Sequence, residues 1–173
     1  MHGLEKRDGG HILGFVELQD SIERIREETA VSQLLGVACR ELAAQTAAER
    51  VSISRAIGDL LVELAHHERT GREVPLELYL VSDYPLTQEV LERGEPRSAA
   101  RGDPEADEAE TALLERLGYE ALLMLPLRTG WRTWGLLELY AGSGVDFHDD
   151  AQERARPIVA ALEERLQAVE HVG

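Results

Sequence analysis

The carboxylate of Glu138 is the side chain in this sequence most in need of a chemical reason. It stands in "GLLELY", residues 135–140, inside an aliphatic run. The run "LLMLPL", residues 122–127, lies one Thr129-Gly130 turn away, so the two read as a β-hairpin. Side chains alternate along a strand. One face then carries Leu123, Leu125 and Leu127 with Gly135, Leu137 and Leu139. The other carries Leu122, Met124 and Pro126 with Leu136, Glu138 and Tyr140. A uniform aliphatic face suits a solid core. A face mixing a thioether, a phenol and a carboxylate suits a cavity lined by apolar groups and a few placed polar ones. The competing reading is that Glu138 caps a turn or meets an arginine such as Arg128 or Arg132. Pro126 lacks an N–H and predicts a bulge or strand end.

Other residues join the mixed face by the same alternation. "RVSISRAI", residues 50–57, sets Val51, Ile53 and Ile57 against Ser52, Ser54 and Ala56. The candidate ligand-binding residues are therefore Ser52, Ser54, Tyr79, Tyr84, Arg97, Met124 and Glu138. The small side chains of Ser52, Ser54 and Ala56 favour an open cavity. Tyr79, Tyr84, Tyr119 and Tyr140 could instead fill it.

Familiar catalytic patterns are missing. The sequence has no GxSxG, P-loop, HExxH or GxGxxG. No catalytic or metal-ligating residue is assigned, and a non-enzyme is expected. Cys39 is the lone cysteine, which excludes an internal disulfide and a CxxC metal pair. It sits in an apolar-periodic run and reads as a core residue. Asp103, Glu105, Asp107 and Glu108 fit no EF-hand frame and read as a solvated loop.

These residues need a scaffold. Residues 1–13 are polar and Gly-rich and read as a flexible lead-in, with one domain over 14–173. Phe15, Leu18, Ile22 and Ile25 step at helical spacing, and Leu34, Leu35, Ala38 and Leu42 mark a second helix. "DLLVELAHH" and "VPLELYLV" predict a second hairpin, with Leu76, Leu78 and Leu80 on one face. A short helix follows, capped by Ser82 or Asp83, with Pro85 in its first turn and Gly94 as its left-handed stop. "RSAA" predicts an edge strand, and "AETALLERLG" a short helix ending at Gly118. The last segment carries Ala155, Val159, Leu162, Leu166 and Val169 in a heptad-like stripe, with Pro157 expected to kink or break it. The fold class is α+β. A central antiparallel sheet has the terminal helices on its leucine face and the short helices on its mixed face. Ile22, Ile25, Leu162, Leu166 and Val169 are expected to form the seam of a homodimer.

With these elements in order, the sequence resembles a GAF domain. The resemblance rests on "DYPLTQEVLERGEPRSA", on "ETALLERLGYEALLMLPL" and on "GWRTWGLLELY", and Phe147 before His148-Asp149-Asp150 resembles the start of the family's final helix. It spans roughly residues 15–170. It implies a ligand pocket on one sheet face, a sensory role in bacterial signalling proteins and dimerisation through the terminal helices. The Asn-Lys…Phe…Asp-Glu signature of cyclic-nucleotide-binding members is not found. One cysteine cannot complete the thiol cycle of the methionine-sulfoxide reductases of this fold. A core-facing Cys39 disfavours a bilin thioether. Haem is disfavoured too: His66 and His67 are adjacent, so at most one can face the pocket. No cofactor is predicted.

Charge bounds the partners. Lys and Arg number 18 and Asp and Glu 33, a formal net charge of −15. Nucleic acid and anionic membranes are disfavoured. No signal-peptide pattern opens the chain, and no apolar run approaches the roughly 18 residues that span a bilayer. A cytoplasmic location is expected. The sequence thus predicts a non-catalytic small-molecule-sensing and dimerisation module, acting on a signalling effector domain or protein. The alternative is a purely structural dimerisation or interaction domain with a filled pocket and no ligand, and a more remote one is a small enzyme using the pocket.

Overall fold

A computed structural model describes residues 8–75, 78–145, 147 and 149–171, with side chains from residue 14 apart from that of Asp149. Leu76, expected on a strand face, lies outside the described residues. Helices α1 (Asp8–Glu27) and α2 (Val31–Gln45) come first. Strands β1 (Arg50–Ile57), β2 (Leu60–Glu68) and β3 (Leu78–Leu80) follow, then a 3-10 turn over Val81–Asp83 and α3 (Pro85–Arg93). Strand β4 (Arg97–Ala100), α4 (Glu108–Leu117), β5 (Ala121–Thr129), β6 (Arg132–Ala141) and α5 (Asp149–Glu170) complete the chain. The six strands form one antiparallel sheet in the order β3-β2-β1-β6-β5-β4. The fold is α+β, as the periodicities predict.

The two faces separate as the alternation requires. Across β5 and β6, Leu123 opposes Leu139, Leu125 opposes Leu137, and Leu127 opposes Gly135. This face packs under α1, α2 and α5 in one core that includes Ile25, Leu35, Leu42 and Leu162. On the other face Leu122 opposes Tyr140, Met124 opposes Glu138, and Pro126 opposes Leu136. That side packs with Val90 of α3 and Leu113, Leu114 and Leu117 of α4 in a second core. Gly135 is required where β6 crosses β1, because a Cβ there would fall 2.0 Å from the Ser54 carbonyl oxygen.

Polar clasps tie the helical layer together. Ser21 donates to Glu41 at 2.5 Å, and Arg24 joins the same carboxylate at 3.1 Å. Arg165 of α5 donates twice to the Glu28 carbonyl, at 3.1 and 2.6 Å. The end of α5 is held to the sheet by Trp134, whose indole N–H donates to Glu170 at 2.7 Å.

Several expectations are corrected here. Helix α1 begins at Asp8, inside the stretch read as a lead-in; Gly9, Gly10 and Gly14 weaken helix propensity without stopping it. Pro157 lies within a continuous α5. Its ring costs one backbone bond, but Ala155, Ile158, Ala161, Leu162 and Leu166 stay on one buried face across it. Pro126 sits in register inside β5, and the irregularity falls between Leu127 and Arg128. Neither Ser82 nor Asp83 caps α3: Tyr84 occupies the N-cap without a side-chain bond, and Ser82 binds Asp59 instead, at 2.6 and 2.8 Å. The residues expected at a dimer seam are covered by the chain's own core. Ile22, Ile25, Leu162 and Leu166 are buried within the single chain, and Val169 is half-buried. The leucine face spans several strands and needs all three long helices to cover it, so their apolar stripes turn inward. On α1 the exposed apolar side chains are Phe15 and Val16.

Gly94 ends α3 in the left-handed region at φ 68°. An L side chain there is strained, and the nearest atom a Cβ would meet is the movable Arg128 guanidinium, at 3.2 Å. Gly94→Ala should therefore cost about 1–2 kcal/mol. The measurement is the urea midpoint, and an unchanged midpoint would refute the assignment.

Candidate functional site

Glu138 is almost sealed from solvent, in the middle of β6. Tyr140 donates its phenolic O–H to Oε1 at 2.9 Å, and Ser52 of β1 lies 3.2 Å from Oε2. Glu138 caps no turn and bonds neither Arg128 nor Arg132; the arginine whose charge acts on it is Arg50. Burial pushes its carboxyl up to about 7, against the opposing pull of the Tyr140 bond. Burial likewise raises Tyr140 well above the ordinary phenol range. Near neutral pH the Glu138 carboxyl can therefore hold or release its own proton at little cost, while Tyr140 keeps its phenolic proton.

Beside this pair, on the same face, the strand register gathers charged side chains. Arg50 opposes Tyr140 on one side and Glu68 on the other, and His66 opposes Ser52. Arg50 is buried and binds both oxygens of Glu63, at 3.0 and 2.9 Å. His66 Nδ1 lies 2.7 Å from the same carboxylate. Tyr119 donates to Glu68, and its ring packs against Tyr140 with centroids 5.2 Å apart. Arg72, on the loop after β2, stacks over the Tyr119 ring at 4.8 Å and donates to the Gly118 carbonyl. Arg50, His66 and Arg72, with Glu73, Val74 and Pro75, line an open cleft of about 550 Å³.

The sequence-predicted ligand residues divide into three groups. Ser52, Ser54, Met124 and Glu138 share the mixed face and are all buried. Thr87 of α3 donates to the Met124 sulfur at 3.4 Å, so this part of the face is covered by a helix. Tyr79 and Tyr84 pack edge to face at 5.4 Å, against the same core. Arg97 pairs in register with Met124, but its guanidinium turns to Glu89 at 2.9 Å and Glu95 at 3.3 Å on the sheet edge. Tyr119, Tyr140 and Met124 fill the middle of the face, and open volumes lie at its ends, the larger toward β2 and one of about 300 Å³ between Ala56, Thr133 and α3. Arg50, Glu63 and Arg72 are the site residues that sequence reasoning missed. A bulge between Ile53 and Ser54 brings Glu63 opposite Ser54, and no local sequence signal announces it.

The other groups singled out in the sequence have structural work. Asp107 caps α4 by accepting from the Ala109 N–H at 2.9 Å, and Asp103 accepts from the Glu105 N–H at 2.9 Å. Among the described residues no group of three or more His, Cys, Asp or Glu side chains could hold a metal ion. No described helix is long and apolar enough to cross a membrane.

The GAF domain family model matches residues 30–166. The chain belongs to the GAF family. No curated protein matches it. Among solved structures, this GAF domain is similar to the chromophore-binding domain of a Stigmatella aurantiaca bacteriophytochrome (Thr289His mutant, Pr state). The TM-score is 0.77 at 16% identity, covering 95% of this chain and 63% of that one. It is similar to bacteriophytochrome RpBphP3 from R. palustris, with TM-score 0.81 at 14% identity, covering 97% of this chain and 39% of that one. It is also similar to the phycocyanobilin-bound GAF domain of a cyanobacterial phytochrome, with TM-score 0.74 at 19% identity, covering 91% and 95%. The chain thus spans less than two thirds of each of the two bacteriophytochrome chains it resembles.

These neighbours overturn the expectation that a bilin is disfavoured. This GAF domain has the architecture in which bilin-binding relatives hold their chromophore. The argument from Cys39 bears only on covalent attachment. Cys39 is fully buried, and burial pushes its thiol up to about 12.

Proposed function

We propose that this GAF domain is a non-catalytic ligand-sensing module of a signalling protein, with its ligand seated in the cleft at Arg50, His66 and Arg72. The observation that carries the reading is that open cleft of about 550 Å³. It adjoins a face that holds a buried hydrogen-bonded pair, Glu138 and Tyr140. The volume lies within the usual range for small-molecule sites. The Arg72 and His66 side chains present positive and hydrogen-bonding groups to an acidic ligand. A linear tetrapyrrole with acidic side chains is the first class to try. With Cys39 sealed, it would be held without a covalent bond. A homodimer would use the outward faces of the terminal helices, where Phe15 and Val16 are exposed, and α5 would relay the signal to an effector. The structural alternative, a filled pocket without ligand, is favoured by the complete burial of Tyr119 and Met124.

The test is a titration of the purified protein with phycocyanobilin, followed by visible absorption. A saturable spectral shift is expected, and acid denaturation should release all of the pigment. Arg72→Gln combined with His66→Gln should weaken binding by about tenfold or more, the scale of lost charged hydrogen bonds. Arg50 is left in place, because removing it would strand Glu63 in the interior. No spectral shift, together with no ligand on the purified protein by native mass spectrometry, would favour the structural alternative. Undiminished binding by the double variant would move the site elsewhere.

A further inference from the structure

A further concavity lies between α5 and the part of β5 beyond its pairing with β4, with Gly94 and Pro96 at its rim. It is a crevice of about 210 Å³. Leu125 and Pro126 of β5 and Val159 of α5 give it an apolar lining, and Arg128, Arg156 and Glu163 supply its charges. Its size suits a fragment smaller than an ordinary drug-sized ligand.

The charges are unusual for this molecule. In a chain of net charge −15 most arginines are engaged. Arg24, Arg50, Arg55, Arg93, Arg97, Arg101 and Arg154 make ion pairs, and Arg69, Arg72 and Arg165 donate to carbonyls. Among the described residues the guanidiniums of Arg40, Arg128, Arg132 and Arg156 have neither an ion pair nor a hydrogen bond, and two of these four, Arg128 and Arg156, line this one crevice. Glu163 feels the Arg128 charge but makes no ion pair or hydrogen bond with either guanidinium. Its Oε1 is taken by the Arg128 backbone N–H at 2.8 Å. Two cations and one carboxylate leave the crevice with a net charge of about +1. Planar guanidiniums favour carboxylates, which they bind through paired N–H donors.

We propose that this crevice is a separate ligand site that takes a small apolar monocarboxylic acid, its carboxylate between the Arg128 and Arg156 guanidiniums and its hydrocarbon on Leu125, Pro126 and Val159. The acid bridges β5 and α5, so its occupancy is felt directly by the long C-terminal helix. Binding to the folded state alone raises thermal stability with ligand concentration.

The experiment is a titration of the full chain with sodium hexanoate, followed by amide chemical shifts, with hexanamide as the neutral control. Saturable shifts are expected at residues 94–97, 125–128 and 152–163. Hexanamide should bind at least about tenfold more weakly, and so should hexanoate to the Arg128→Gln/Arg156→Gln variant. Both arginines are exposed, so the variant should melt as the parent does. Equal binding of hexanamide, unchanged affinity in the double variant, shifts confined to the cleft at His66 and Arg72, or no saturation at millimolar hexanoate would each overturn the proposal.

Discussion

Replacing Leu162 and Leu166 together by glutamate is expected to unfold the domain rather than to split a dimer. Both leucines are sealed within the single chain, at 0% and 1% exposure. They lie on the α5 face that covers the leucine side of the sheet. Losing one buried leucine costs about 2–5 kcal/mol in transfer and cavity terms. Two such losses alone approach the roughly 5–15 kcal/mol that holds a domain together. The incoming carboxylates add a further penalty, because an unpaired charge in an apolar interior is worse than a cavity. The far-ultraviolet helical signal should therefore be lost at room temperature. Phe15→Glu with Val16→Glu is the matched control, since both side chains are already exposed. That variant should keep its fold within about 0.5 kcal/mol of the parent. If the leucine variant instead stays folded and turns monomeric by light scattering, the stripe faces a partner and the packing described above is wrong.

The stripe illustrates why some of the fold was legible in the sequence and some was not. An apolar repeat on a helix says that one face is covered, not by what. The coverage of Leu162 depends on how wide the leucine face is, which is a property of six strands at once. The hairpin faces were legible because period-two alternation over nine or ten residues leaves no competing register. Glu138 could be placed on the mixed face for the same reason, and Tyr140 follows it at the same-face spacing. The second partner of Glu138, Ser52, is 86 residues away in the chain, and only the β1–β6 pairing brings it there. Arg50, Glu63 and Arg72 were harder still. Two of them meet through a bulged strand pair, and Arg72 comes from a loop. The local rules that failed, at Pro157 and at the glycines of α1, were propensity rules overridden by continuous helix and burial. Cys39 was read correctly as buried, but the inference drawn from it reached only attachment chemistry.

Stability should fall as pH rises from about 5 to about 8, and Glu138 should be a main cause. Its carboxyl is raised to about 7 in the folded domain, from an ordinary value of 4.5. In that window the unfolded chain has already released the proton while the folded chain still holds it. Folding then takes up a proton, so the stabilisation is full below the unfolded value and is lost as pH passes through the folded one. The shift corresponds to about 3 kcal/mol across the window. Glu110 contributes in the same direction. It is fully buried, accepts the Thr87 N–H at 3.0 Å, and is also raised to about 7, by burial and by Asp107. Asp107 itself is lowered, chiefly by its bond with Glu110, so its own contribution is lost toward acid. Glu138→Gln isolates the first group. The amide copies the neutral acid: its oxygen accepts from Tyr140 and its NH₂ donates to Ser52. Near pH 5 the variant should match the parent; near pH 8 it should be more stable by up to about 3 kcal/mol. General repulsion from the acidic surface affects both proteins alike and cancels in the difference. Urea unfolding at several pH values provides the measurement. A pH-independent difference, or a variant less stable than the parent near pH 8, would mean that ionised Glu138 is compensated in the fold. A ligand that brings a cation or a strong donor to Glu138 should draw off the same proton.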